Sequence, residues 1–434
     1  MATRTDTPST PSARASEPSA GAPAPVRPLF PLIDGLRAVA ALSVVGTHAV
    51  GIAGLVVAGS LAGRIGARLE VGVAIFFVIS GFVLYRPFTA AHPLDRPRMR
   101  LGAYAVRRVA RIVPAYWLAL AVIALVTPLS EVWDDPFRYF LFGQIYDQFT
   151  IGFGLTQAWS LCIEVTFYVL LPVWAIGIRA LADRVRAAPV RTELLALAVL
   201  AVASYAWKVV LMLGQGNPDE IVITPWVTSL PSYLDEFAIG MAFAVCSVHV
   251  RERGQREPRL LRHVGRHPWT AVGVAFVAFA ISAACIEPRF AIAPMTSWQY
   301  LVRHLCYATV GGALVVLAVT GERDAGVVRR MLGSRIAIWF GLLSYGIYLW
   351  HDAVLGRAAA WGLHAPAHVP AGVWWPVVGV VGGTALAAVS WYGMERHVLR
   401  LAHRAVRSGE RPRRDGHDDE PALLASARSE ARPG

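Results

Sequence analysis

The chain has 434 residues, of which 55% are hydrophobic and only 16% charged, and its mean hydropathy is +0.48. Soluble domains carry roughly a quarter charged residues, whereas the apolar residues here gather into recurring runs of about 20, enough to cross a ~30 Å hydrocarbon core. One soluble core is therefore excluded, and the net charge of +12 does not indicate nucleic acid, because the Arg residues fall between apolar runs, as the positive-inside rule produces.

In chain order, residues 1–29 are rich in Pro, Ser, Ala and Thr and lack an apolar core, which predicts a disordered cytoplasmic tail. They do not read as a signal peptide, since the first apolar run starts only near Leu29 and contains Arg37 and His48. Ten spans follow, at roughly 31–50, 69–87, 112–129, 158–178, 193–213, 231–249, 268–286, 300–320, 336–356 and 372–392. They predict an all-α integral membrane protein, a bundle of about ten transmembrane helices within a membrane domain over 30–400. Residues 401–434 predict a second disordered, charged cytoplasmic tail and leave no room for a soluble C-terminal domain. With the N-terminus inside, the connections at 86–111, 179–191, 249–267 and 321–335 hold seven, four, six and four Arg. The opposite connections hold only Arg64, Arg68, Arg138, Arg289 and Arg357. This asymmetry predicts N-in and C-in. No internal repeat is evident, whereas transporters often carry one. Cys162, Cys246, Cys285 and Cys306 stand singly in apolar stretches, so neither a metal site nor a disulfide framework is signalled.

Several spans carry polar residues that a bilayer penalises. The first holds Arg37 and His48, eleven residues apart. Eleven steps of about 100° return to nearly the same helix face, about 16 Å further along. A cation and an imidazole thus share one groove at two depths, and such residues usually face a cavity or a partner. The plainer reading is that Arg37 snorkels to headgroups and His48 caps the outer end. The fourth span opens with Trp159 and carries Glu164 and Tyr168, placing Glu164 at a depth similar to His48. A carboxylate beside an imidazole would orient it as a general base; Glu164 could equally pair structurally with an Arg. Arg107, Arg108 and Arg111 start the third span on the cytoplasmic side. Topology alone explains them, but Arg forks also bind phosphate bidentately, and coenzyme A is a cytoplasmic phosphate carrier whose pantetheine arm is of the same order as the Arg37–His48 separation. The small residues at 72–82 read first as helix packing. Ser344, Tyr345, Tyr348 and His351 lie along the ninth span, with His351 near its outer end. Tyr and Trp there fit an interfacial belt. Asp235 and Glu236 open the sixth span, as acceptor ligands or as helix caps.

In order, these stretches resemble the acyltransferase-3 family of membrane proteins over about residues 30–400. The resemblance rests on Arg37-x10-His48 after Asp34-Gly-Leu, the Phe-Phe-Val-Ile-Ser-Gly-Phe stretch at 76–82, and Arg107-Arg108-x-x-Arg111-Ile-x-Pro114-x-Tyr116. It continues with Trp159-Ser-Leu-x-x-Glu164-x-x-Phe-Tyr168, Ser344-Tyr345-x-x-Tyr348-Leu-x-His351 and Ser390-Trp-Tyr-x-x-Glu395-Arg396. Where the last motif often ends in Pro, this chain has His397. The resemblance implies an O-acyltransferase of a bacterial plasma membrane, with Arg37 and His48 essential. The donor is expected to be acyl-CoA, with acetyl favoured. The acceptor would be a sugar-containing molecule: a cell-envelope glycan, a glycolipid or a glycosylated metabolite. Some members carry a fused extracytoplasmic esterase-like domain; this chain reads as a stand-alone member.

The expected site therefore has His48 as base, with Arg37, and with Glu164 or His351 orienting it. Arg107, Arg108 and Arg111 would hold the CoA phosphates. Tyr348, Ser344, Tyr168, Trp159 and Asp235 would support the substrates, with no metal and no permanently bound cofactor. Rival readings are a transporter or flippase of an envelope precursor, and a non-catalytic partner in envelope assembly. The sequence does not indicate an oligomeric state.

Overall fold

The computed structural model describes residues 30–57, 60–91, 100–185, 189–214, 222–285, 295–322 and 325–410. Among the described residues, ten long helices make the bundle. They are α1 (Pro31–Ile52), α2 (Val71–Ala91), α3 (Leu101–Val126), α4 (Trp159–Val185) and α5 (Pro189–Gly214). Then follow α6 (Leu234–Arg253), α7 (Pro268–Cys285), α8 (Ser297–Val319), α9 (Arg335–Ala360) and α10 (Ala371–Ser390). Among the described residues, nine helical stretches are long and apolar enough to cross a membrane. Helix α9 has 26 residues, but Ser344, Tyr345, Tyr348, His351 and Asp352 make it the more polar one.

Local signals set several helix starts. Pro31 occupies the first turn of α1, where its missing N–H costs nothing. Thr296 and Gln299 form a capping box that opens α8. The Ser334 hydroxyl accepts from the Ala337 N–H at 3.2 Å and opens α9.

Helix α1 is central, and its neighbours approach closely through small residues. A Cβ on Gly72 of α2 would lie 2.3 Å from the Ala40 carbonyl oxygen, and one on Gly341 of α9 only 1.9 Å from that of Asp34. Small residues are the usual device by which helices associate in a bilayer, where apolar burial gives little drive. Helix α2 runs parallel to α6. Phe77 packs on Tyr233 near one end, at 5.4 Å between ring centroids, and Arg86 meets Glu252 at 2.5 Å near the other.

Two expectations need correction. Helix α3 begins at Leu101, well before the apolar run at 112, so Arg107, Arg108 and Arg111 lie within a helix and not in the connection before it. Arg is a good helix former, which a search for apolar runs cannot register. The tail expected from 401 likewise starts inside a helix, Arg396–Glu410. A π-helical turn, Trp391–Glu395, joins it to α10, and the chain stays helical through His397, which has the N–H that Pro would lack. The expected tail residues 1–29 and 411–434 lie outside the described residues.

Candidate active site

Helices α1 and α9 lie side by side, and each carries a histidine on the shared face. His48 Nδ1 lies 2.8 Å from His351 Nε2. His351 is fully buried. Its Nδ1 lies 3.1 Å from the Ile347 carbonyl oxygen and 2.9 Å from that of Tyr348. Two acceptors at that nitrogen require it to carry the proton, so in the neutral ring Nε2 is the acceptor. His48 Nδ1 then donates, and His48 Nε2 keeps a free lone pair. Of the two partners expected for His48, the geometry selects His351. Glu164 sits elsewhere: its carboxylate accepts from the Ser80 hydroxyl and is bonded to Tyr168.

Glu164 belongs to a cavity of about 90 Å³ enclosed by α1, α2, α3, α4 and α9. Arg37, Arg108 and Arg111 line it, with Ser80, Glu164, Tyr168, Tyr345 and Tyr348. Phe76, Phe77, Ile79, Val83 and Leu84 make an apolar wall from α2. Arg108 and Arg111 reach it together because residues three apart share a helix face. Arg107 lies one step further round, and its Nε donates to the Ala103 carbonyl of its own helix at 3.1 Å. Of the three Arg residues expected to hold phosphates, Arg108 and Arg111 thus line the cavity, and α1 adds Arg37. The Arg37 Nε donates to the Ser344 hydroxyl at 3.3 Å. Arg111 lies 5.5 Å from the Trp391 ring and Arg108 6.0 Å from the Tyr168 ring. The π-helical turn brings Ser390 and Glu395 together at 2.8 Å, with the Glu395 carboxylate in electrostatic reach of Arg111. Such turns are frequent at functional sites.

The cavity ends at Tyr348, which bridges to the histidine pair. Its hydroxyl donates to the Gln157 carbonyl at 2.5 Å and lies 2.6 Å from the Ser160 hydroxyl. Its ring is 6.0 Å from that of His351. A guanidinium-rich chamber thus leads toward an imidazole pair.

Two other expected residues lie outside this chamber. Trp159 lies against Tyr233, with ring centroids 5.6 Å apart and the planes inclined at 45°. Asp235 pairs with Lys208 Nζ at 2.7 Å and accepts from the Ser204 hydroxyl at 3.2 Å. Its neighbour Glu236 instead faces a second small cavity with Glu70, Arg303 and His304. Glu70, Arg303 and His304 belong to none of the sequence motifs above. The signal was present, since Arg303 and His304 interrupt the eighth apolar run much as Arg37 and His48 interrupt the first.

A bundle of long apolar helices with an imidazole pair beside a basic chamber has the build of a polytopic membrane enzyme. The family follows: the chain belongs to the acyltransferase-3 family, whose acyltransferase-domain model matches residues 30–392. It is 27% identical over 344 residues to a putative peptidoglycan O-acetyltransferase, YrhL, of Bacillus subtilis, covering 75% of this chain and 48% of that protein. It is 24% identical to the peptidoglycan O-acetyltransferase OatA of Listeria monocytogenes, covering 76% of this chain and 50% of that one. The exopolysaccharide production protein ExoZ of Rhizobium meliloti is 26% identical, over 76% of this chain and 89% of its own length. The chain thus spans about half the length of YrhL and OatA. No solved structure matches.

Proposed function

We propose that the protein is a multi-pass O-acyltransferase of a bacterial plasma membrane, with ten spans and both termini cytoplasmic. It moves an acyl group, acetyl by preference, from acyl-CoA to a hydroxyl of a sugar-containing acceptor. The observation that carries the reading is the His48–His351 contact of 2.8 Å beside a chamber bearing Arg37, Arg108 and Arg111. The O-acetyltransferase names of YrhL and OatA, and the polysaccharide role in the name of ExoZ, support the class of reaction and acceptor.

On this reading Arg108 and Arg111, with Arg37, hold the CoA phosphates, and the pantetheine arm lies along the apolar wall of α2. The thioester arrives beside Tyr348, next to the imidazole pair. His48 Nε2 removes the proton of the acceptor hydroxyl as its oxygen attacks the thioester carbonyl. The tetrahedral intermediate collapses, the C–S bond breaks, and the departing thiolate takes the proton back from His48. An ester and free CoA thiol result, and His48 is regenerated. His351 does not touch the reacting atoms; it holds the His48 tautomer that leaves Nε2 free.

The test is untargeted mass spectrometry of surface glycans, lipids and secreted metabolites. The strains are a deletion mutant and the same mutant complemented with wild type or His48→Ala at equal protein levels. The expected result is one product that loses an acyl mass in both the deletion and the His48→Ala strain. Full restoration by His48→Ala would refute the mechanism. An unmodified molecule that only changes compartment would put a transporter in its place.

A further inference from the structure

The second cavity, between α2, α6 and α8, holds about 30 Å³ and is walled by the outer-end turns of those helices and by Trp159. Most of its charges are already balanced. Glu70 faces Arg68 at 3.5 Å and Arg303 at 3.6 Å and accepts from the Tyr307 hydroxyl at 2.8 Å. Lys208 is joined to Asp235.

Glu236 and His304 differ. Each is only 2% exposed. Glu236 Oε2 and both ring nitrogens of His304 have no hydrogen-bond partner among the described residues. Glu236 Oε1 and His304 Nδ1 stand 3.8 Å apart, too far for a direct hydrogen bond but close enough for one small group to bond both. Buried polar atoms are ordinarily satisfied, and an ionisable pair kept bare inside an apolar bundle marks a ligand position.

The chemistry narrows the ligand. A carboxylate accepts and an imidazole does either, and a hydroxyl complements both. Arg68 and Arg303 face Glu70 and Lys208 faces Asp235, so these cations are engaged with carboxylates and not directed at an incoming phosphate or carboxylate. A water-sized group needs about 10–15 Å³ on this scale. The cavity therefore admits two hydroxyls and not a whole ring. The rings of Trp159 and Tyr233, 5.6 Å apart and inclined at 45°, supply an aromatic wall at its side.

We propose that this cavity binds the hydroxyl edge of a neutral sugar, with Glu236 and His304 as the recognising pair and Trp159 packing on the sugar's C–H face. The assignment rests on the sugar-acceptor reading above. The place suits an acceptor, because the cavity adjoins the reaction chamber. Phe77 lines the chamber and packs on Tyr233 of the second cavity. Trp159 precedes Ser160, whose hydroxyl meets Tyr348.

The test is isothermal titration of the full chain in lipid nanodiscs with a neutral tetramer of β-1,4-linked N-acetylglucosamine, and separately with acetyl-CoA. Wild type is expected to bind the tetramer saturably. Glu236→Gln and His304→Asn are expected to bind it roughly tenfold or more weakly, since each leaves a buried polar partner unmatched, with unchanged affinity for acetyl-CoA. Retained acetyl-CoA binding shows that the variant is folded. Where Glu236→Gln loses both ligands, Trp159→Leu takes its place with the same expectation. No saturable tetramer binding by wild type, or equal affinity in the variants, overturns the assignment. Failure of wild type to bind acetyl-CoA would instead strike the acyltransferase reading and leave the saccharide result standing.

Discussion

Replacing Gly81 with Ala tests whether helix packing sets the site geometry. A Cβ there would lie 2.2 Å from the Phe237 carbonyl oxygen, whereas ordinary contact begins at 3.4 Å. Backbone cannot swing aside as a side chain can, so α2 and α6 must part by about 1 Å. Overpacking of this kind costs about 1–3 kcal/mol, and the gain in helix propensity from Gly to Ala returns about 1 kcal/mol. The net loss of stability is therefore small. The catalytic loss is not, because the adjacent Ser80 holds Glu164 at the wall of the chamber, and a displacement of about 1 Å costs on the order of 100-fold in rate. Release of CoA thiol at saturating acetyl-CoA and fixed acceptor measures the rate, and thermal unfolding measures stability. Gly177→Ala is the control, since its Cβ would meet nothing within 4 Å. Turnover by Gly81→Ala within about twofold of wild type would refute the argument.

Arg108→Ala and Arg111→Ala are each expected to raise the KM for acetyl-CoA by roughly tenfold or more with a smaller change in kcat, as loss of ground-state binding does. Arg107→Ala, whose side chain bonds its own helix, should leave both constants near wild type; equal effects at all three positions would contradict the placement. Outside the spans, the Phe149 backbone N–H and then the Arg138 guanidinium hold the Asp147 carboxyl below its usual value of 3.8. A lowered folded value stabilises above the unfolded value and is lost as pH falls through the folded one. Hydrogen exchange of the 127–158 segment should therefore be unchanged from neutral pH to about 5 and rise below about 4, and Asp147→Asn should remove that rise. A rise already at pH 6 would assign it to another group.

What the sequence makes legible is depth. Eleven residues between Arg37 and His48 fix one face and two levels, and the apolar runs locate the long helices of the described residues to within a turn or two at most ends. What it leaves out is azimuth, and for Glu164 the level as well. Glu164 is expected at the depth of His48, but Ser160 already meets Tyr348, and Glu164 lies one turn further along α4, on Ser80 and in the chamber with Arg37, so it is His351 that meets His48. Arg107 and Arg108 are adjacent in sequence but about 100° apart round α3, so one faces the chamber and one does not. Asp235 and Glu236 divide in the same way, one to Lys208 and one to the second cavity. The late start assigned to α3 has another cause: apolar runs mark where lipid begins, and a helix can begin earlier.

The identity of the His48 partner has a chemical consequence for the proposed reaction. A carboxylate partner would stabilise the imidazolium formed when His48 takes a proton, as the Asp of a Ser-His-Asp triad does. A neutral imidazole partner fixes the tautomer but brings no compensating charge. His48 then serves best where little positive charge has to build up on it. A thioester suits that requirement, because its carbonyl is activated and its thiolate leaves readily and can recover the proton at once. Such a base would turn over thioester donors far better than oxygen esters of the same acyl group. His351→Glu should narrow that difference between donors, through imidazolium stabilisation, if the variant keeps its affinity for acetyl-CoA. Parallel rates with thioester and oxygen-ester donors in the wild type would show that the pair does more than set a tautomer.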